Sequence, residues 1–344
     1  MTTPRRHVPP GLREQLDLGY VFGSVQTFAQ RPLVTELQQL AEWQADVAIL
    51  GAPFDLGTTN RTSARFGPRA LRTDAYDPGT YHLDLGLEIF DWLEVVDVGD
   101  AYCPSGMVQE SLDNIRAKVA QVVELGVMPI TIGGDHTVTW PGRHRGRRAP
   151  RVRPGGHGAL RRTRRHRRHH RRQPGQPRHP DAPADRERCD PRHQLRADRL
   201  ARVLARRRRV GVDGEQGMRW HLMDEVHRRG LDAVLTDAIA EAMDGVDHLY
   251  VSVDIDCLDP AYAPGTGTPE PGGLASADLL RALRRLARET PLVGFDLMEV
   301  APAYDHADCT VNVAHRCIME VLAGLASVRR DAGSPNVSAT GPLR

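Results

Sequence analysis

The chain has 344 residues, 40% of them hydrophobic, enough for one large α/β domain or two ordinary ones with a sizeable core. The opening M-T-T-P-R-R-H-V-P-P has no apolar run behind its arginines, and no stretch approaches 18 apolar residues, which argues against a secretory signal and a membrane span. Five cysteines (Cys103, Cys189, Cys257, Cys309, Cys317), odd in number and without C-x-x-C spacing, argue against a disulfide scaffold or a thiolate zinc site, and for a soluble, cytoplasmic protein. The formal charge of +2 hides two regions of opposite sign. Residues 142–213 hold 25 Arg, 7 His and 6 Asp+Glu, a balance of +19, while the other 272 residues balance at −17. From Pro141 to Arg219 there is no Phe, Tyr or Trp.

In chain order, residues 46–51 (D-V-A-I-L-G) read as a buried parallel strand with A-P-F-D at its end. Glu94–Val98 is a second strand, ending in G-D. A helix follows, with Leu112, Ile115, Val119, Val122 and Val123 on one face and Gly126 as its stop. Met128–Ile132 is a strand leading into Gly133-Gly134-Asp135-His136. Beyond the basic block, Met218–Leu222 resembles a short strand, Leu231–Met243 a helix and His248–Asp256 a strand. Leu279, Leu280, Leu283 and Leu286 mark another helix, Pro291–Val300 a strand, and about Thr310 to Ser327 a last helix. Strand and helix alternate, the pattern of a mostly parallel sheet covered on both faces, a three-layer α/β/α fold. Its limits are expected at 36–330, with an N-terminal arm (1–35) and a flexible tail (331–344).

Ligands of such sheets bind outside the C-terminal strand ends, and unusual polar residues gather there: Asp55, Asp100, Asp135, His136, Asp254, Asp256 and Glu299. Asp254 and Asp256, two apart on a strand, share a face and repel each other unless a cation or proton intervenes. An isolated D-x-D running into solvent is harmless, and a lone His is more often structural than a ligand. Here an apolar strand precedes the pair and His136 stands at another strand end, a nitrogen-and-oxygen donor set suited to Mn²⁺ or a similar ion. Glu299 ends an apolar strand, either as a rim acid or as the anionic partner of a cationic substrate.

The run Ser252–Leu274 (S-V-D-I-D-C-L-D-P-A-Y-A-P-G-T-G-T-P-E-P-G-G-L) resembles the ureohydrolase family, which includes arginase and agmatinase. G-A-P-F-D (51–55), R-F-G-P-R-A-L-R (65–72), G-G-D-H (133–136) and M-E-V-A-P (298–302) are similar to further family motifs in the same order. The resemblance covers roughly 40–141 and 215–327 and leans toward agmatinase. It implies a hydrolase with two Mn²⁺ per subunit that releases urea from a guanidino substrate, agmatine giving putrescine. Guanidinobutyrate and proclavaminate-type substrates are the alternatives. By resemblance, His136, Asp254 and Asp256 are metal ligands, Glu299 holds the guanidinium, and the subunits form a trimer or hexamer. Neither a membrane nor a specific nucleic acid is implied as partner.

The family's middle motif, Asp-x-His-x-Asp, is missing between His136 and Asp254. Arg161–Gln173 instead reads R-R-T-R-R-H-R-R-H-H-R-R-Q. A basic arm for non-specific, salt-sensitive nucleic-acid binding is one reading. The genetic code supports another. Shifted by one base, the codons of Arg161–Gln173 permit D-A-H-A-D-T-A-D-T-I-D-G-N, and those of Pro174–Arg188 permit L-A-S-H-G-T-P-M-R-R-L-I-E-S-G. Residues 142–213 thus read as a frame-shifted translation, with a one-base insertion near codons 140–142 and a compensating deletion near 213–215.

As written, Arg161, Thr163 and Arg165 stand where three metal ligands belong. A guanidinium about 5 Å from a dication is repelled by roughly 6–7 kcal/mol at an effective dielectric near 20. With only 8 of 72 residues from Val, Ile, Leu and Met, the block is expected to be disordered and to rebuild no central strand. The written chain is therefore expected to bind Mn²⁺ poorly, fold badly and lack amidinohydrolase activity.

Overall fold

A computed structural model describes residues 25–73, 75, 79–139, 194–196 (backbone only) and 219–333. The elements are β1 (Val47–Ala52), α1 (Gly67–Thr73), β2 (Tyr81–His82), β3 (Leu87–Glu88), α2 (Ile89–Trp92), β4 (Val95–Asp100), α3 (Val108–Glu124) and β5 (Met128–Gly133). After these come β6 (Gln194–Arg196), α4 (Met223–Arg229), α5 (Leu231–Met243), β7 (Leu249–Asp254), α6 (Ser276–Glu289), β8 (Leu292–Met298) and α7 (Cys309–Asp331). Six strands pair in the order β4-β1-β5-β8-β7-β6, every pair parallel; β2 and β3 form a separate antiparallel hairpin.

β1 and β5 are buried at every position, which explains why their sequences run apolar without alternation. One face of the sheet carries α3, whose Ile115, Val119 and Val122 pack with Leu40, Trp43, Val96 and Val98. The other carries α5, α6 and α7, with Leu283, Leu286, Ile318 and Leu322 against Ile130, Val251 and Phe295. This is the three-layer α/β/α arrangement. The N-terminal approach joins it directly: Phe28 is fully buried, its N–H donates to Asp97 at 2.9 Å, and Leu33 bridges to Asp97.

α7 is an apolar helix interrupted by Asn312, His315, Arg316 and Glu320, so it holds no run of 18 apolar residues. Among the described residues it alone is long and apolar enough to cross a membrane by length and composition, and 78% of its apolar window is buried in the fold. It is the core helix, pinned at one end by Arg329, which donates to Asp46, with both side chains buried. Midway, Glu320 accepts from His82 (3.1 Å), Arg284 (2.9 Å) and Arg316 (2.8 Å), tying the β2–β3 hairpin and α6 to α7.

Three expectations change. Arg219–Leu222 is not a strand and leads directly into α4, so the segment begun at Met218 contributes no strand among its described residues. β7 stops at Asp254 and a 3-10 turn, Ile255–Cys257, carries Asp256. Within the basic block, Gln194–Arg196 does pair with β7, opposite Tyr250–Ser252, as the edge of the sheet. The remainder of 142–213 lies outside the described residues.

Candidate active site

β5, β8 and β7 lie side by side, so their C-terminal ends bring His136, Glu299 and Asp254 to one place. The approach of these ends depends on missing side chains. A Cβ on Gly134 would stand 1.7 Å from the carbonyl oxygen of Phe54, so only glycine lets the chain leave β5 against the loop that follows β1. Gly134 N–H donates to Ala52 O and Asp135 N–H to Phe54 O, at 2.9 and 2.7 Å.

Glu299 does not end the strand as expected. It follows β8 with φ +68°, in the left-handed region that non-glycine residues seldom occupy. Its conformation is held from both sides: the backbone N–H donates to Gly134 O at 2.8 Å, and Oε1 accepts the N–H of His136 at 2.8 Å. Burial pushes the Glu299 carboxyl up to about 7, the His136 N–H pulls it down, and the charge of Asp135 adds to the rise.

His136 is engaged at both ring nitrogens. Nδ1 meets Asp254 Oδ2 at 2.9 Å and Nε2 meets Ser252 Oγ at 2.8 Å. Ser252 Oγ also meets Thr139 Oγ1 at 3.3 Å. The order serine, histidine, aspartate is that of a hydrolytic triad, but Ser252 is 1% exposed and offers no face to a carbonyl substrate. Asp254 Oδ1 accepts the N–H of Asp256 at 3.1 Å, while the Asp256 carboxylate takes the Thr268 hydroxyl at 2.7 Å. Asp254 and Asp256 are thus neighbours across a turn and do not form a same-face strand pair. The residue sharing Asp254's strand face is Ser252, whose position two before Asp254 was the overlooked signal.

The other strand-end acids serve the loops. Asp55 is buried and binds Arg65 and the N–H of Ser63, and these contacts overcome the cost of burial and hold its carboxyl below the usual range. Asp135 accepts the N–H groups of Gly57 (2.6 Å) and Thr137 (2.9 Å). Asp97 and Asp100 share Arg72. Arg65 and Arg72 lie in the R-F-G-P-R-A-L-R motif, whose two outer arginines therefore fasten the loop after β1 and the C-terminal half of β4.

Among the described residues no group of three His, Cys, Asp or Glu side chains stands close enough to hold a metal ion. Donors of the right chemistry are present in His136, Asp254 and Asp256, but their atoms face Ser252, each other and Thr268. Arg161, Thr163 and Arg165 lie outside the described residues.

Comparison with known proteins matches the arginase family over residues 45–150 and 201–324, and the gap between the two matched parts falls inside the basic block. The chain is 33% identical over 288 residues to human mitochondrial guanidino acid hydrolase, covering 82% of this chain and 79% of that one. It is 30% identical to guanidinobutyrase of Pseudomonas aeruginosa (90% and 95% covered) and 31% identical to agmatinase of Bacillus subtilis (82% and 93%). Among solved structures, proclavaminate amidino hydrolase of Streptomyces clavuligerus superposes with a TM-score of 0.66 at 25% identity, over 89% of this chain and 99% of that one. Formiminoglutamase of Trypanosoma cruzi, solved with Mn²⁺₂, shares the fold at 17% identity and a TM-score of 0.63, over 88% and 99%. Strand order, motif order and these matches agree, and the chain belongs to the arginase family.

Proposed function

We propose that the protein is an amidinohydrolase of the agmatinase type, a hydrolase acting on a guanidino compound to release urea and an amine. Agmatine, guanidinobutyrate and a proclavaminate-type substrate are the candidates, since relatives bearing each of those activities in their names align over four fifths of the chain or more. The observation that carries the reading is Glu299: a half-buried carboxylate just past the end of β8, held in a strained backbone conformation beside His136. A carboxylate so placed suits a guanidinium, which offers paired N–H donors to two oxygens.

Manganese is the metal that the donor types suit, and His136, Asp254 and Asp256 are the proposed ligands on this chain. The residues as written do not fit a two-ion centre: three donors are too few for two ions, and Arg161 and Arg165 cannot act as ligands. What the described residues supply is an anionic seat at Glu299 and a set of imidazole and carboxylate groups around it. The frame-restored chain would add D-A-H-A-D at 161–165, which supplies the three missing donors. We propose one domain over 36–330, an arm at 1–35 and a tail at 331–344, with 142–213 as its frame-shifted part. A cytoplasmic trimer or hexamer is the assembly proposed with it.

The test is to express both chains, written and frame-restored, and to measure bound manganese and urea release from agmatine and 4-guanidinobutyrate. Two Mn²⁺ per subunit and urea release from the restored chain alone are expected. Normal activity of the written chain refutes the frame-shift; an inactive restored chain refutes the amidinohydrolase reading. Salt-sensitive binding of generic RNA with no urea release from either chain would favour the basic-arm alternative.

A further inference from the structure

Three segments remote in sequence meet beside Glu299, and hydrogen bonds close them into a ring. From the loop after β1, Asn60 Nδ2 donates to Gly267 O at 3.0 Å, and Arg61 N–H donates to the same oxygen at 3.4 Å. Two residues back, Gly265 O accepts the N–H of Ala301 at 2.8 Å, which ties that segment to the turn after Glu299. Ala303 N–H completes the circuit by donating to Ser63 Oγ at 3.3 Å, on the loop where it began. A Cβ on Gly267 would lie 3.0 Å from Arg61 O, 3.6 Å from Glu299 Oε2 and 3.7 Å from Thr58 Cγ2. Glu299 Oε2 and the backbone of the loop therefore border the same small gap, while Oε1 takes the His136 N–H.

Ser63 is the strained member of the ring. It is buried, with φ +107° and ψ −10°, in the left-handed region that glycine occupies without penalty and a side chain does not. Its backbone N–H donates to Asp55 Oδ2 at 2.9 Å, and Asp55 also holds Arg65. The base of the loop is thus fastened through the main chain, whatever side chain stands at position 63. What the serine adds is its hydroxyl, and that hydroxyl accepts the Ala303 N–H. The strain at Ser63 is therefore accompanied by one specific contact, and the contact joins the wall of the Glu299 gap to the turn that carries Glu299.

We propose that Ser63 is a positioning residue: its hydroxyl fixes the loop after β1 against the turn after Glu299 and so sets the width of the gap in front of Glu299 Oε2. The part that concerns substrate rests on the guanidino-hydrolase reading, in which that oxygen receives the guanidinium. Ser63 acts through the loop and does not touch the substrate. Loss of the hydroxyl leaves the Ala303 N–H without its acceptor and frees the loop to move off the gap, which weakens binding and leaves the reacting groups unchanged.

The test compares Ser63→Ala and Ser63→Gly in the frame-restored chain. Both lack the hydroxyl, but only alanine keeps the strained side chain, so Ser63→Gly should melt about 2 °C or more above Ser63→Ala. KM for urea release, with agmatine and 4-guanidinobutyrate as substrates, should nevertheless rise about fivefold or more in both variants, with kcat within about twofold of the parent. Hydrogen exchange at the Arg61 and Ala303 amides should quicken in both. A KM that follows the melting temperature, a KM unchanged in either variant, or unaltered exchange at those amides would each overturn the proposal. If the frame-restored parent releases no urea, the amidinohydrolase reading fails, and exchange and melting still decide whether Ser63 holds the loop.

Discussion

Glu299 and His136, 163 positions apart, are joined by a 2.8 Å hydrogen bond from the His136 N–H to the Glu299 carboxylate, while Glu299 N–H binds Gly134 O. The two strand ends thus hold each other, and the residue proposed as the substrate seat is also a structural clamp. Glu299→Ala removes the acceptor and leaves a residue at φ +68°, so a loss of about 1–2 kcal/mol is expected in a denaturant titration. Glu299→Gln keeps an acceptor oxygen and should stay within about 0.5 kcal/mol of the parent. Both variants of the frame-restored chain should lose urea release by about a hundredfold or more, separating the role of the charge from that of the clamp.

Gly134→Ala is expected to be among the most damaging single-methyl changes in the protein. The new Cβ overlaps the backbone oxygen of Phe54, which is not the end of a flexible side chain, so β1 and β5 cannot both keep their registers. A loss of about 3 kcal/mol or more is expected, with lowered soluble yield and a shifted thermal midpoint as readouts. An unchanged melting temperature would contradict the packing described for these strand ends.

Glu320 on α7 gives a pH dependence with a defined sign. Burial raises its carboxyl, but the hydrogen bond from His82 and the charges of Arg316 and Arg284 outweigh that and leave it below the ordinary 4.5. A carboxyl depressed in the folded state contributes stability above its unfolded value, lost as pH falls through the folded one. Glu320→Gln should therefore cost about 3 kcal/mol near neutrality, where the parent is ionised and two arginines lose their partner. The difference between variant and parent should shrink as pH is lowered below 4.5. Denaturant melts at a series of pH values measure both.

Manganese should distinguish the two forms of the chain by stability as well as by activity. Ligands that bind only the native state raise its melting temperature, so excess Mn²⁺ should lift the midpoint of the frame-restored chain by about 4 °C or more. The written chain should move little, because two of the three positions for the missing donors carry arginine. Chelation should reverse the shift in the restored chain. An equal shift in both would mean that residues 161–165 do not contribute ligands.

The parallel scaffold was legible because its strands are buried on both faces and read as uninterrupted apolar runs; β1 and β5 lie within a residue or so of the sequence expectation. Leu231–Met243 forms a helix over the span its spacing suggests. The ends were harder to read. A period of two carries no information about where a strand stops, so Asp256 was assigned to β7 although the chain turns at Ile255. The short helices α1 and α4 have too few turns to display a periodicity. The candidate ligands could be picked out by residue type, but the pairing of His136 with Ser252 could not. That pairing depends on β5 and β7 flanking β8, a relation between strands remote in sequence.

The sheet sets the two halves of the chain side by side. β4, β1 and β5 come from before the basic block, β8 and β7 from after it, and the seam between the halves is the β5–β8 ladder. The block itself reaches the described sheet only at the outer margin, through β6. The polypeptide therefore has the layout of a split protein whose halves dock along an internal seam. Residues 25–139 and 219–333, produced as separate chains, should find each other through that ladder and the helices packed across it.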